Sequence, residues 1–126
     1  MTLVDSSGWL EYFTNGPLAD AYAQHLKTPE RVLTPTVVVY EVYKLIKRDR
    51  SEEEALAATA QLGKTHVVPL TETIALTAAD VSLTYRLAMA DAIVYATALT
   101  AGAKLITSDA DLAPLPGVTY LKKPGK

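Results

Sequence analysis

The chain has 126 residues, with 12 Lys+Arg against 14 Asp+Glu, a formal net charge of −2 and an apolar share of 49%. That size fits one domain with one core, and the slightly acidic balance argues against a broad, non-specific nucleic-acid coat while leaving room for a local basic face. Cysteine is absent, which excludes disulfides, thiolate nucleophiles and cysteine metal sites.

Residues 2–4 read as a short buried strand, and residues 6–13 as a helix that ends at the breaker cluster Asn15-Gly16-Pro17. Apolar residues at helical spacing continue over 18–26, Thr28-Pro29 marks a turn, and 31–34 read as a second strand. The β-branched run Thr36-Val37-Val38-Val39 permits strand. A helix is expected instead, starting at Pro35 with Thr34 as N-cap, because Val38, Val42, Leu45 and Ile46 fall at three- and four-residue steps. Ser51 and Glu54 have capping-box spacing, so a further helix starts there, runs to Leu62 and stops at Gly63.

A third strand is expected over 66–70, a helix from Thr71-x-x-Ile74, and a buried helix over 89–100 closed by Gly102. Residues 104–107 read as a fourth strand, 109–112 as a turn, and 118–121 as a last edge strand. The domain is therefore expected to span 1–121, with a basic, flexible tail over 122–126. Alternating strands and helices predict an α/β fold with a mostly parallel central sheet of four to five strands and helices on both faces. No apolar run approaches the roughly 18–20 residues that cross a bilayer. The start, Met1-Thr2-Leu3-Val4-Asp5, lacks the features of a signal peptide, and a cytoplasmic location is expected.

In such sheets, ligands bind beyond the carboxyl ends of the strands. Asp5 directly follows the first strand, Asp109 follows the fourth with Asp111 beyond it, Glu41 lies in the helix after the second strand, and Asp91 lies near the start of the helix before the fourth. One rim can hold all of them. Clustered carboxylates repel, so a cation gives them a reason to meet. Oxygen donors without His or Cys favour Mg²⁺ or Mn²⁺ over zinc. Such an ion binds a phosphodiester oxygen, acidifies a water and stabilises the leaving oxygen. Ser6, Thr107 and Ser108 are hydroxyl neighbours able to orient a carboxylate. Each acid also has a plainer reading. Asp5 suits a helix N-cap, Glu41 an ion pair with Lys44, and Asp109 and Asp111 turn positions. Asp91 resists such a reading, because Ala88-Met89-Ala90-Asp91-Ala92-Ile93-Val94 is an apolar setting in which a charge needs a partner.

Four segments in order carry a family resemblance: Val4-Asp5-Ser6-Ser7; Pro35-x5-Glu41-Val42; the run from Leu87 through Asp91 to Ala98; and Leu105-Ile106-Thr107-Ser108-Asp109-Ala110-Asp111-Leu112. Together they resemble PIN-domain proteins, specifically VapC-type toxins of toxin–antitoxin pairs. The third segment is the most specific, and Leu112 departs from the pattern, in which an aromatic residue commonly follows the last acids. The resemblance implies metal-site acids at Asp5, Glu41, Asp91 and Asp109, with Asp111 as an optional fifth. It further implies Mg²⁺ or Mn²⁺ as cofactor, endonucleolytic cleavage of RNA (often a structured tRNA or rRNA site), a VapB-like antitoxin partner and a homodimer.

Lys44 and Arg48 share a helix face with Glu41 and are candidate contacts for an RNA backbone, although a solvated face explains them as well. The competing function is a catalytically inactive PIN-like module that only binds a partner. A phosphotransferase of the Asp-x-Asp type is disfavoured, because Ser7 stands where its second aspartate belongs, and there is no glycine-rich phosphate loop of the Walker type.

Overall fold

The computed structural model describes residues 1–124. Strands β1 (Thr2–Val4), β2 (Val32–Pro35), β3 (His66–Val68), β4 (Lys104–Thr107) and β5 (Val118–Tyr120) form one all-parallel sheet in the order β3-β2-β1-β4-β5. A parallel sheet is covered on both faces, so its central strands are apolar throughout rather than alternating. Leu3 and Val4 in β1 and Leu105 and Ile106 in β4 are accordingly buried. The connecting helices are α1 (Ser6–Phe13), α2 (Ala19–His25), α3 (Thr36–Asp49), α4 (Glu52–Leu62), α5 (Glu72–Tyr85) and α6 (Met89–Ala101). α3 packs on α4, and α5 on α6.

The order of strands fixes where a site can form. The chain moves from β1 to β2 to β3 in one direction and then crosses to β4 on the other side of β1. Beyond the ends of β1 and β4 the connections diverge, which opens a crevice at the switch point. Asp5 leaves β1 and Ser108 leaves β4 at this crevice.

Local sequence explains most boundaries. Asp5 caps α1, Ser51 caps α4 by accepting from the Glu54 N–H, and Thr71 caps α5 by accepting from the Ile74 N–H. Gly102 ends α6 at φ +64°, a left-handed conformation that glycine adopts without steric cost. Thr34 does not cap α3. It pairs in register with Val67 as part of β2, and its hydroxyl bonds that of Thr65 at 2.6 Å. Pro35 takes the cap position in extended conformation, so α3 starts at Thr36. β3 ends at Val68, and the next residue, Pro69, has no N–H to continue the ladder.

β5 is the expected edge strand. Leu121 extends its pairing by one bond, N–H to the Thr107 carbonyl at 2.8 Å. Lys123 then approaches Glu11, Nζ to Oε2 3.8 Å, so the start of the expected tail lies against α1. Residues 125 and 126, the end of that tail, are outside the described residues. Among the described residues, no helix is long and apolar enough to cross a membrane.

Gly8 in α1 tolerates no larger side chain. An added Cβ would lie 2.3 Å from Tyr22 Cε1 and 2.7 Å from Val4 Cγ1. Gly8→Ala should therefore lower the unfolding free energy by about 1–3 kcal/mol, the usual size of an overpacking cost. Denaturant unfolding checks this, and a stability equal to the parent protein would contradict the close packing.

Candidate active site

Asp5 is 5% exposed, yet its carboxylate is well supplied with donors. Oδ1 accepts the Ser7 hydroxyl at 2.6 Å and the Gly8 N–H at 3.4 Å, and Oδ2 accepts the Thr107 hydroxyl at 2.7 Å. The two hydroxyls are themselves held. Thr107 Oγ1 accepts the Asp109 N–H at 2.9 Å, and Ser7 Oγ accepts the Ser108 N–H at 3.0 Å. The Ser108 hydroxyl meets the phenol of Tyr22 at 2.6 Å. Hydroxyls thus lace the end of β1 to the end of β4.

Asp91 sits in the first turn of α6, partly buried, and faces the loop after β4. One carboxylate oxygen from each of Asp91, Asp109 and Asp111 lies within 4.8 Å of the others. Asp109 Oδ1 also accepts the Asp111 N–H at 2.9 Å, which folds the loop into a tight turn. Asp5 adjoins this group through Thr107. Glu41 lies partly buried in α3 and is not one of the three acids that converge.

The electrostatics follow from this crowding. Burial pushes Asp5 up to about 6, against the pull of its three hydrogen bonds and with a smaller upward push from Asp109. Asp91 is raised to about 7, first by burial, then by the charge and hydrogen bonding of Asp109, then by the charges of Asp5 and Asp111. Burial also lifts Tyr22 to about 12, so it stays a neutral phenol at working pH.

Thr107 and Ser108 are the expected hydroxyl neighbours, but Ser7 rather than Ser6 binds Asp5. Composition alone could not separate the two serines. The helical turn could, because a side chain two residues past an N-cap can fold back toward the cap. Tyr22 gave no signal in the sequence at all. In α3, Lys44 stands over the Tyr40 ring at 4.9 Å, while Arg48 is engaged by Asp49 at 2.7 and 3.0 Å. Arg48 is therefore not a bare cation.

The donor set suits a hard divalent cation. It offers only carboxylate oxygens, and among the described residues no Lys or Arg pairs with Asp91, Asp109 or Asp111. The family model of the PIN domain matches residues 2–117. The chain belongs to the PIN-domain family. No match was found among curated proteins. Among solved structures, a chain of a toxin–antitoxin complex from Klebsiella pneumoniae is 25% identical, covering 98% of this PIN-domain chain and 100% of its own length at a TM-score of 0.82. VapC20 of Mycobacterium tuberculosis, described as a sarcin–ricin loop cleaving toxin, is 21% identical over 94% of this chain and 97% of its own, at a TM-score of 0.76. A chain of the DNA-bound VapBC complex of Salmonella typhimurium is 14% identical over 97% and 98%, also at 0.76. These last two likenesses establish the shared fold.

The raised acids make the ion-free PIN domain sensitive to pH. Asp5 and Asp91 bind protons more tightly in the folded state than at the ordinary value of 3.8. Their contribution to stability is thus full below that value and is lost as pH rises through about 6 for Asp5 and about 7 for Asp91. In EDTA, the Tm of the wild type should fall across this window, and replacing both residues by Asn should flatten the fall. An equally steep fall in the double variant would contradict the shifts.

Proposed function

We propose that this PIN domain is a divalent-metal-dependent endoribonuclease acting as the toxin of a toxin–antitoxin pair. The observation that carries the reading is the convergence of Asp91, Asp109 and Asp111 beside Asp5, at the switch-point crevice, with no cationic side chain among the described residues paired to the three that converge. Asp5, Asp91 and Asp109 are the principal ligands in this reading, Asp111 an additional one, and Glu41 a contributor from α3. A bound Mg²⁺ or Mn²⁺ supplies Lewis acidity for hydrolysis of an RNA phosphodiester by water.

The chain's own groups have separate tasks. Ser7 and Thr107 hold both oxygens of Asp5, which keeps that carboxylate in one orientation. Asp91, raised by burial and by its acidic neighbours, must lose its proton to serve as an oxygen donor, a loss that a bound cation would favour. Lys44 and Arg48 offer positive charge on α3, and exchange of Asp49 for an RNA phosphate would free Arg48 for the backbone. The substrate class is structured RNA such as a tRNA or rRNA site. The partner is a VapB-like antitoxin, and an arginine from it would pair with Glu41 or Asp91 in a forked geometry. A homodimer is the assembly that accompanies this reading.

Cleavage of RNA by the purified protein in Mn²⁺ should be abolished by excess EDTA and reduced by orders of magnitude in Asp5→Asn or Asp91→Asn, with the fold retained by circular dichroism. Full activity in EDTA would overturn the metal-dependent reading. Binding of an antitoxin with no cleavage under any metal would favour the inactive partner-binding module instead.

Replacing Lys44 and Arg48 together by Ala should weaken RNA binding and flatten its salt dependence, by about 0.7 in logarithmic slope for each phosphate that is no longer neutralised. An unchanged slope in a filter-binding titration would mean that these two side chains belong to a merely solvated face.

A further inference from the structure

Tyr22 in α2 is fully buried, although a phenylalanine would fill the same space without a polar atom to satisfy. Burying a hydroxyl is unfavourable unless it finds a partner. Here the partner is Ser108 Oγ at 2.6 Å, contributed by a residue 86 positions away. The Ser108 backbone N–H in turn reaches Ser7 Oγ at 3.0 Å, and Ser7 gives its own proton to Asp5 Oδ1 at 2.6 Å. Asp109 is the next residue after Ser108. The other end of Tyr22 is fixed as well, because its ring lies against Gly8 so closely that no Cβ fits between them.

One side chain therefore grips two of the segments that bring acids to the crevice. The ring bears on the first turn of α1, just past Asp5, and the hydroxyl bears on the loop that carries Asp109. We propose that Tyr22 is a positioning residue for the carboxylate site, its hydroxyl setting the spacing of Asp5 and Asp109 through Ser108 and Ser7. The proposal rests on the metal-dependent nuclease reading. A packing role alone would need only the ring. A positioning role needs the hydroxyl, and the two separate in Tyr22→Phe.

The experiment is a double-mutant cycle over Tyr22→Phe, Ser108→Ala and the double variant. Mn²⁺ affinity is measured by titration calorimetry, thermal stability in EDTA, and kcat and KM on one RNA. Tyr22→Phe should weaken Mn²⁺ binding on the order of 10-fold, the size of loss usual when a group behind a ligand is removed. It should lower kcat more than it raises KM. Ser108→Ala should do the same, and the double variant should be little worse than either, because the two act on one link. Unchanged Mn²⁺ affinity in Tyr22→Phe overturns the proposal, whatever happens to Tm, and so do losses that simply add. If the wild type itself binds no Mn²⁺, the metal-dependent reading fails and this proposal fails with it. If the wild type binds and cleaves and Tyr22→Phe matches it, the positioning role alone is lost.

Discussion

The parallel pairing of β1 with β4 is the constraint on which the crevice depends. Its register sets Thr2 against Lys104, Leu3 against Leu105 and Val4 against Ile106. The ladder runs one step further, with the Asp5 N–H on the Ile106 carbonyl at 3.3 Å. That step brings Asp5 within reach of the Thr107 hydroxyl and, through it, of the Asp109 backbone. A slip of one residue would turn Asp5 to the opposite face of the sheet and leave its charge among apolar side chains. The apolar core and the acidic crevice are thus specified by the same pairing.

Bringing acids together works against stability, and the fold offsets only part of that. Three hydrogen bonds stabilise the Asp5 carboxylate, yet burial still prevails and its pKa stays raised. Asp91 stands in the first turn of α6, where the helix dipole favours negative charge by roughly 0.3–1 kcal/mol. Burial and the neighbouring aspartates outweigh that as well, and Asp91 stays raised. Local devices that would neutralise a structural carboxylate are present but insufficient. The deficit is the kind that a divalent cation removes.

Alternating strands and helices were legible in the sequence because their signals are local: caps at Ser51 and Thr71, breakers at Gly63 and Gly102, apolar runs at 104–107. Asp91 was legible for a different reason, being a charge in an apolar stretch. Asp5 fills its plain reading, accepting the Gly8 N–H as a cap, and it belongs to the hydroxyl network as well. Other features depend on distant partners. Thr34 looks like a cap until β3 draws it into the sheet. Whether Glu41 joins the other acids depends on how α3 lies across the molecule, which spacing along one helix does not determine. Tyr22 is tied to a residue 86 positions away, and no local pattern marks it.

Two further ties support, from outside the crevice, the elements that carry these hydroxyls. Leu121, just past β5, donates to the carbonyl of Thr107, whose side chain holds Asp5. The edge strand therefore steadies the residue that orients the buried acid. On the other side, Glu11 accepts the Leu18 N–H at 3.0 Å and fixes the approach to α2, the helix that carries Tyr22. The loop passes so close to Glu11 that a Cβ at Gly16 would displace the Glu11 carboxylate. Lys123 approaches the second oxygen of Glu11, an arrangement that adds little by itself because the lysine is well exposed. Its effect is geometric. The segment after β5 and the loop before α2 meet at one carboxylate, so the two elements that support Thr107 and Ser108 are joined to each other as well as to the site.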